Sequence, residues 1–240
     1  TAVNGCSIVL IAVRDCTQLD EVLFGAEGIA DSLSPGAAVI LTSTIGVDGI
    51  AESAEALASR GLHLVDAPLS GGPVRAAQGD LLIVVGATAA AYEIARGALE
   101  QLGSTVKVVG DHPGTGQAMK TVNQLLCGVH IAAAAEALSL ARRMGLDAAE
   151  VLETLQLGAA ESFMLGNRGP RMLESYSKKA EVLSRLDIFT KDMGIVTTSA
   201  KKLGLATPVA AAAEQLFVIG AQLGLSDSDD SSVITVIDGQ

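Results

Sequence analysis

The stretch Asp111-His-Pro-Gly-Thr-Gly-Gln-Ala-Met-Lys120 divides this 240-residue sequence into two parts with different hydrophobic patterns. Before it, apolar runs of strand length alternate with helical patterns, which is typical of a sheet covered by helices. After it, helical patterns follow one another. Proline and glycine interrupt both patterns at the division. The sequence therefore predicts an α/β fold with one domain at residues 1–111 and an all-α domain at residues 112–240.

The individual elements follow from apolar runs and from helical spacing. Strands are predicted at 8–13, 38–42, 62–65, 81–85 and 106–109, with helices near 19–24, 48–60 and 90–102. In the second part, helices are predicted at 115–144, 147–157, 162–175, 187–203, 208–223 and 231–237.

Three polar residues share one face of the long helix predicted after the division. Asn123 and Gln124 lie three and four residues after Lys120, so the three side chains are neighbours on the helix surface. One ammonium and two amides can then converge on one small polar ligand. Loss of hydration in a cleft lowers the pKa of an ammonium, so Lys120 can act as a general acid and base. The alternative is a solvated surface lysine.

A second segment, Asp66-Ala-Pro-Leu-Ser-Gly-Gly72, follows an apolar run that predicts a strand ending at Asp66. Ser70, Gly71 and Gly72 are predicted to form a loop without bulky side chains. Successive backbone N–H groups beside a serine hydroxyl suit a carboxylate. The alternative is an ordinary turn.

Composition excludes several classes of protein. A formal net charge of -11 and a pI near 4.6 argue against a nucleic-acid surface, which needs a concentrated basic patch. We expect no membrane and no secretory leader, since no continuous apolar span or charged-then-apolar start stands out. Cys6, Cys16 and Cys127 are expected to be buried thiols, which predicts a reducing, cytoplasmic location.

We expect no metal site. The histidines His63, His112 and His130 are far apart in sequence and predict no catalytic or metal cluster. The acidic stretch 226–232 lacks the regular ligand spacing and terminal glutamate of a calcium loop. It is interpreted as a loop and cap before the last helix.

Several ordered motifs together resemble the β-hydroxyacid dehydrogenase family. They are Asp66-Ala-Pro-Leu-Ser-Gly-Gly72, Gly114-Thr-Gly-x-x-x-Lys-x-x-Asn-Gln124 and Lys191-Asp192. The resemblance covers nearly the whole chain and is far more specific than any one glycine pattern. It implies a Rossmann-like domain, an all-α domain and a long interdomain helix joining them, with the active site in the cleft between the domains. It also implies NAD as cofactor, with NADP possible, and a small hydroxy acid as substrate.

The resemblance assigns roles to the motif residues. Lys120 is the residue that takes and returns the proton of the substrate hydroxyl, while Asn123 and Gln124 orient the substrate. The segment Ser70, Gly71 and Gly72 binds the substrate carboxylate.

Five residues are matched to cofactor contacts. Val13, Arg14 and Gln18 correspond to a loop that touches the cofactor, although Arg14-Asp15-Cys16 departs from the usual pattern. Thr44 corresponds to the position beside the nicotinamide, with a cap of the helix predicted at 48–60 as the alternative. Lys191 reaches the cofactor from the helical domain.

Two features of the all-α domain leave alternatives open. Lys191 lies four residues after Asp187, so an ordinary ion pair along the helix is the alternative to a cofactor contact. The segment between Tyr176 and Asp187 is longer than the usual connection of the family, and this loop borders the cleft in relatives.

Family members begin with a strand, a Gly-x-Gly-x-x-Gly turn and a helix that hold the cofactor pyrophosphate. This chain starts at Thr1-Ala-Val-Asn-Gly-Cys-Ser7, and its first apolar run resembles a later strand of that sheet. The Rossmann-like domain is therefore expected to be N-terminally incomplete here, and the chain on its own could be inactive.

The resemblance is strongest to the branch that acts on L-threonate or a related four-carbon sugar acid, oxidised at C2 to a 2-oxo acid. The activities of 3-hydroxyisobutyrate dehydrogenase and tartronate semialdehyde reductase are alternatives. A homodimer or homotetramer through the helical domain is expected. A different class of function, a non-catalytic helical assembly module, is the remaining alternative.

Overall fold

The computed structural model describes residues 2–177 and 180–239. The chain forms two compact units, the first ending at Thr121 and the second beginning at Val122. An α/β unit is followed by a helical unit, so the predicted fold class is confirmed.

The first unit is built on one sheet. Within the described residues its six strands are β1 (Ile8–Ile11), β2 (Ala38–Leu41), β3 (His63–Asp66), β4 (Leu69–Ser70), β5 (Leu82–Gly86) and β6 (Thr105–Gly110). Five of them were predicted, with ends that shift by up to two residues. The two-residue strand β4 was not, because a pair of residues carries no periodic pattern.

Strands β1, β2 and β3 run parallel, with Leu41 of β2 opposite both Ile11 and Asp66. Strand β5 lies antiparallel to β3 and β4 and parallel to β6. The carboxyl ends of the first three strands therefore meet at one edge of the sheet. Ligands of open α/β sheets bind at this kind of edge.

Helices cover both faces of the sheet. They are α1 (Cys16–Phe24), α2 (Ile50–Ala58), α3 (Gly72–Ala77) and α4 (Ala89–Leu102), with a 3-10 turn at Ala30–Ser32. Successive residues of β2 point to opposite faces. Val39 packs with α1 and α2, and Ile40 packs with α4. The predicted helix-covered sheet is thereby confirmed.

Helix α1 begins three residues before its predicted start. The Asp15 carboxylate accepts a hydrogen bond of 2.9 Å from the backbone N–H of Gln18 and so caps the helix. Such a cap satisfies a donor that the helix leaves unpaired, and this extends the helix to Cys16.

The second unit consists of helices. The long helix α5 (Thr115–Arg143) enters it, followed by α6 (Ala148–Leu155), α7 (Phe163–Glu174), α8 (Leu186–Lys202), α9 (Pro208–Gln222) and α10 (Val233–Asp238), with a 3-10 turn at Asp230–Ser232. Leu138, Met172 and Phe217 are among its fully buried side chains. The rings of Phe189 and Phe217 stack with centroids 5.4 Å apart.

Helix α5 is long and apolar enough to cross a membrane by length and composition, with a mean hydropathy of 1.4 in its most apolar window. Half of that window is buried inside the structure. Ile131, Ala135 and Leu138 of α5 pack in the core of the second unit. The buried core helix of a protein passes the same test of length and apolar composition.

Candidate active site

The amino end of α5 is anchored on the carboxylate of Asp66, the last residue of β3. One Asp66 oxygen, Oδ2, accepts from the backbone N–H groups of Gly114 at 2.9 Å and Gln117 at 2.8 Å. The other, Oδ1, accepts from the Gln117 side-chain Nε2 at 2.8 Å. A carboxylate at a helix N-terminus is stabilised by these donors and by the helix dipole. Asp66 therefore fixes where α5 begins.

Asp66 is fully buried. Burial raises the pKa of its carboxyl above the ordinary value, and the hydrogen bonds from Gln117 and Gly114 oppose this shift.

The approach of α5 to β3 requires a glycine at 116. A Cβ atom on Gly116 would lie 2.7 Å from the backbone oxygen of Asp66 and 2.9 Å from its Oδ2. Both distances are shorter than a carbon and an oxygen tolerate. The Gly-Thr-Gly motif therefore brings the helix close to the carboxylate, in addition to forming a turn.

Lys120 follows Gln117 by one helical turn and is 7% exposed. The alternative of a solvated surface lysine is therefore wrong. Gln117, Lys120 and Gln124 are spaced three and four residues apart on α5, and all three are buried. They form a polar stripe on one face of a largely apolar helix.

The two predicted amides bind each other in the second unit. Asn123 Nδ2 donates to Gln124 Oε1 at 2.9 Å and to Cys127 Sγ at 3.4 Å. Gln124 Nε2 in turn donates to Asp192 Oδ2 at 2.5 Å. The orientation of the Gln124 amide is thus set by an aspartate that sequence reasoning did not assign to the site.

Asp192 also binds the predicted second lysine. Lys191 Nζ lies 2.7 Å from Asp192 Oδ1, and Asp192 is 2% exposed. The alternative partner, Asp187, accepts hydrogen bonds from Arg185 at 3.0 and 2.9 Å. The Lys191-Asp192 motif pointed to Asp192 in the sequence. The contact between Asp192 and Gln124 could not be predicted from that motif.

The predicted loop at 70–72 is in part wrong. Ser70 ends β4, and Gly72 is the first residue of α3, with Gly71 as the cap position. Pro73 explains this start, because proline is favoured in the first turn of a helix. Both glycines have positive φ, at 142° and 71°, and nothing lies within 4 Å of a Cβ built on Gly72. The backbone of Gly72 is therefore open, as an anion contact requires.

The edge formed by β1 and β2 carries the remaining predicted residues. Val13 N donates to Ser43 Oγ at 2.6 Å, and Arg14 N donates to Gln18 Oε1 at 2.8 Å. Thr44 is half-buried in the loop after β2. It does not cap the following helix, because α2 begins at Ile50 after Gly49 with no side-chain cap.

The donor set at this edge fits a nicotinamide nucleotide. The exposed Arg14 carries a guanidinium for phosphate or carboxamide oxygens, and Thr44 offers a hydroxyl. The carboxyl ends of parallel strands are the usual place for such a ligand.

Gln117 joins these segments and was missed by sequence reasoning. Its Nε2 also donates to the backbone oxygen of Ser43 at 2.9 Å, and its Oε1 accepts from Ile45 N at 2.9 Å and Gly46 N at 3.2 Å. Its partners are 51 to 74 residues away in sequence, so no local pattern indicates them.

The remaining candidates are accounted for by other contacts. Among residues 2–177 and 180–239, no group of three or more histidine, cysteine or acidic side chains is placed to hold a metal ion. In the acidic stretch, Asp229 pairs with Arg171 at 2.9 Å and Asp230 with Arg168 at 2.7 Å. Within the described part of the chain the three cysteines form no disulfide, and they are only half-buried, so the expectation of buried thiols was wrong.

Two family descriptions match the chain. Residues 1–110 match the NAD-binding domain of 6-phosphogluconate dehydrogenase. Residues 114–237 match a family described as NAD-binding of NADP-dependent 3-hydroxyisobutyrate dehydrogenase.

Similar proteins cover most of the chain. L-threonate dehydrogenase of Cupriavidus necator is 39% identical over 236 residues, which are 98% of this chain and 78% of that protein. L-threonate dehydrogenase of Escherichia coli O6:H1 is 38% identical over 232 residues, covering 96% and 76%. The crystal structure of 3-hydroxyisobutyrate dehydrogenase from Salmonella typhimurium superimposes with a TM-score of 0.89 at 36% identity, covering 96% of this chain and 79% of that one.

Proposed function

Because the chain belongs to the β-hydroxyacid dehydrogenase family of NAD(P)-dependent oxidoreductases, we propose that it oxidises L-threonate, or a related four-carbon sugar acid, at C2 to the 2-oxo acid. The choice of substrate is supported by the two relatives of that name. The single observation that supports the chemistry is the buried Lys120 on the polar stripe of α5.

Lys120 is the general base in this proposal. Its neutral amine takes the proton of the C2 hydroxyl as the C2–H bond breaks and the C=O bond forms. The nicotinamide cofactor, when bound, accepts the hydrogen and the electron pair that leave C2. In reduction, the Lys120 ammonium returns the proton. A buried lysine is suited to this role, because burial disfavours its charged form.

Asn123 and Gln124 orient the substrate hydroxyl or carboxylate. Their mutual hydrogen bond and the Gln124 contact with Asp192 reduce the freedom of both amides. Alignment of this kind is where positioning contributes most to rate.

The substrate carboxylate binds at Ser70, Gly71 and Gly72. The open backbone of Gly72 supports this assignment, since the substrate can approach its N–H group without meeting a side chain.

The cofactor contacts are assigned to Val13, Arg14, Gln18, Thr44 and Lys191. NAD is the first choice of cofactor and NADP the alternative. In this scheme residues 1–111 hold most of the nucleotide and the substrate carboxylate. Residues 112–240 supply Lys120, Asn123 and Gln124 to the substrate and Lys191 to the cofactor.

The second unit is also the proposed surface of a homodimer or homotetramer. Val122, Leu126 and Leu140 of α5 are more than half exposed, which favours burial against another subunit. A cytoplasmic location is proposed because the three cysteines form no disulfide in the part of the chain that the structure describes.

The substrate is tested by steady-state kinetics on the enzyme expressed from its complete gene. L-threonate, 3-hydroxyisobutyrate and D-glycerate, the reduced partner of tartronate semialdehyde, are compared with NAD and with NADP. We expect the highest kcat/KM with L-threonate. A higher kcat/KM with 3-hydroxyisobutyrate or D-glycerate would replace the proposed substrate.

The alternative of an assembly module is tested separately by calorimetric titration of NAD and NADH. Binding supports the dehydrogenase. Absence of binding by a folded, complete protein would favour the module.

A further inference from the structure

The strongest unassigned feature in the first unit is the fully buried side chain of Gln117. A glutamine amide has two N–H donors and two acceptor lone pairs. All four are used here, by Asp66 Oδ1, Ser43 O, Ile45 N and Gly46 N. No other side chain of this size offers two donors and an acceptor in one rigid plane, so the site is specific for glutamine.

These partners bracket one residue. Ser43 O and Ile45 N belong to the peptide groups on either side of Thr44, and Gln117 binds both, at 2.9 Å each. The backbone of Thr44 is therefore held by a side chain of α5. The Ser43 hydroxyl accepts from Val13 N, so the loop after β1 is joined to the same point.

Gln117 is also fixed to the helix that carries Lys120. Its own backbone N–H and its side chain both bind Asp66, and Lys120 follows one turn later. Gln117 and Lys120 lie on one continuous helix, in which each residue rises about 1.5 Å along the axis. The side-chain amide of Gln117 therefore sets the distance between the backbone of Thr44 and the helical turn that carries Lys120.

We infer that Gln117 is a positioning residue of the dehydrogenase. It holds the loop that carries Thr44 at a fixed distance from Lys120, and Asp66 holds Gln117 itself in place. The inference rests on the proposed roles of Thr44 and Lys120. Gln117 touches neither substrate nor cofactor in this scheme; it aligns the residue assigned to the nicotinamide with the residue assigned to the proton.

The test is Gln117→Met in the enzyme expressed from its complete gene. Methionine fills nearly the same volume and makes none of the four hydrogen bonds. A displacement of about 1 Å between reacting groups costs up to about 100-fold in rate. We therefore expect kcat to fall by about 10- to 100-fold, with a much smaller change in KM for the hydroxy acid.

A second readout does not depend on activity. In Gln117→Met, the backbone amides of Ile45 and Gly46 lose their acceptor, so their hydrogen exchange should accelerate. Exchange within α2, which lies outside the 43–46 loop that Gln117 binds, should stay unchanged. Exchange of the 43–49 segment at the native rate would overturn the inference.

Ser53→Ala is the matched control. Ser53 is also buried in the first unit, and its hydroxyl donates to Asp20 Oδ1 at 3.0 Å. Its loss should lower stability and leave kcat unchanged. Loss of stability without loss of kcat in Gln117→Met would mean that Gln117 is structural only.

Lys120→Ala separates failure of the inference from failure of the proposed function. If Lys120→Ala keeps normal turnover, the proposed function fails. If Lys120→Ala is inactive and Gln117→Met has native kinetics, only the positioning role fails. Should Gln117→Met not fold, the same measurements on Gln117→Asn decide, because that amide is one methylene too short to reach all four partners.

Discussion

Two glutamines of α5, seven residues apart, are each held by a buried aspartate, and the two arrangements differ in what else binds the carboxylate. Asp66 binds Gln117 together with backbone N–H groups at the start of the helix. Asp192 binds Gln124 together with the ammonium of Lys191. Backbone donors are fixed by the fold, whereas a lysine side chain can change partners. The first arrangement is therefore a fixed anchor, and the second can respond to a ligand.

Among changes to these two carboxylate arrangements, the largest effect is expected from Asp192→Asn. The variant keeps the shape of the side chain but removes the negative charge that holds Lys191. Its amide can also turn an N–H group toward Gln124 Nε2, and two donors cannot form a hydrogen bond with each other. Because Gln124 and Lys191 are both misplaced, kcat/KM should fall by about 100-fold and NADH binding should weaken. Steady-state kinetics and NADH fluorescence titration measure the two effects.

The comparison with Gln117→Met makes this prediction sharper. Loss of the fixed anchor should lower kcat with little change in NADH affinity, while Asp192→Asn should change both. Equal effects of the two variants on NADH affinity would break the distinction between the arrangements.

A smaller effect is expected from Lys191→Met, which keeps the length of the side chain and removes its charge. If Lys191 binds the cofactor, the dissociation constant for NADH should rise by about tenfold, equivalent to about 1.4 kcal/mol. Lys201→Met, in the last turn of the same helix, is the control and should leave NADH affinity unchanged. Unchanged NADH affinity in Lys191→Met would assign this lysine to the structural pair with Asp192 alone.

The smallest effect concerns a third acidic residue, Asp238, whose side chain is 6% exposed. Burial raises the pKa of its carboxyl, but hydrogen bonds from Ser139 and Tyr176 and the charges of Arg142 and Arg143 outweigh it, and the pKa is lowered. A lowered folded-state pKa stabilises the fold above the unfolded value of 3.8, and this contribution is lost as the pH falls through the folded-state pKa.

Asp238→Asn should therefore remove part of the acid sensitivity of unfolding without changing kcat at neutral pH. Urea unfolding as a function of pH, with wild type as reference, measures the difference. A change in kcat would show that carboxylates outside the two arrangements also control the site.

Features that depend on local sequence could be predicted, whereas contacts between elements distant in sequence could not. Helices such as α8 and α9 were predicted to within one residue at each end, because their apolar spacing is local. The burial of Lys120 and the link from Gln124 to Asp192 depend on packing between elements distant in sequence. Gln117 looked like an unremarkable residue between two glycines and Lys120, since its partners lie more than 50 residues away.

The region around Ser70 shows a second limit. The glycine pair suggested a loop, while the structure has a strand end and a helix start there. Strand β4 exists only because β5 pairs with it, at Leu69 opposite Ile83. Pairing of this kind cannot be read from two residues.

The most direct test of the account is the turnover of Lys120→Ala with L-threonate and NAD, measured beside its affinity for NADH. General acid and base groups contribute up to about 10,000-fold to rate, so we expect turnover to fall by at least about 1,000-fold while NADH binding and the unfolding midpoint stay near those of wild type. A folded Lys120→Ala enzyme that binds NADH and turns over at a near-native rate would contradict the assignment of the base.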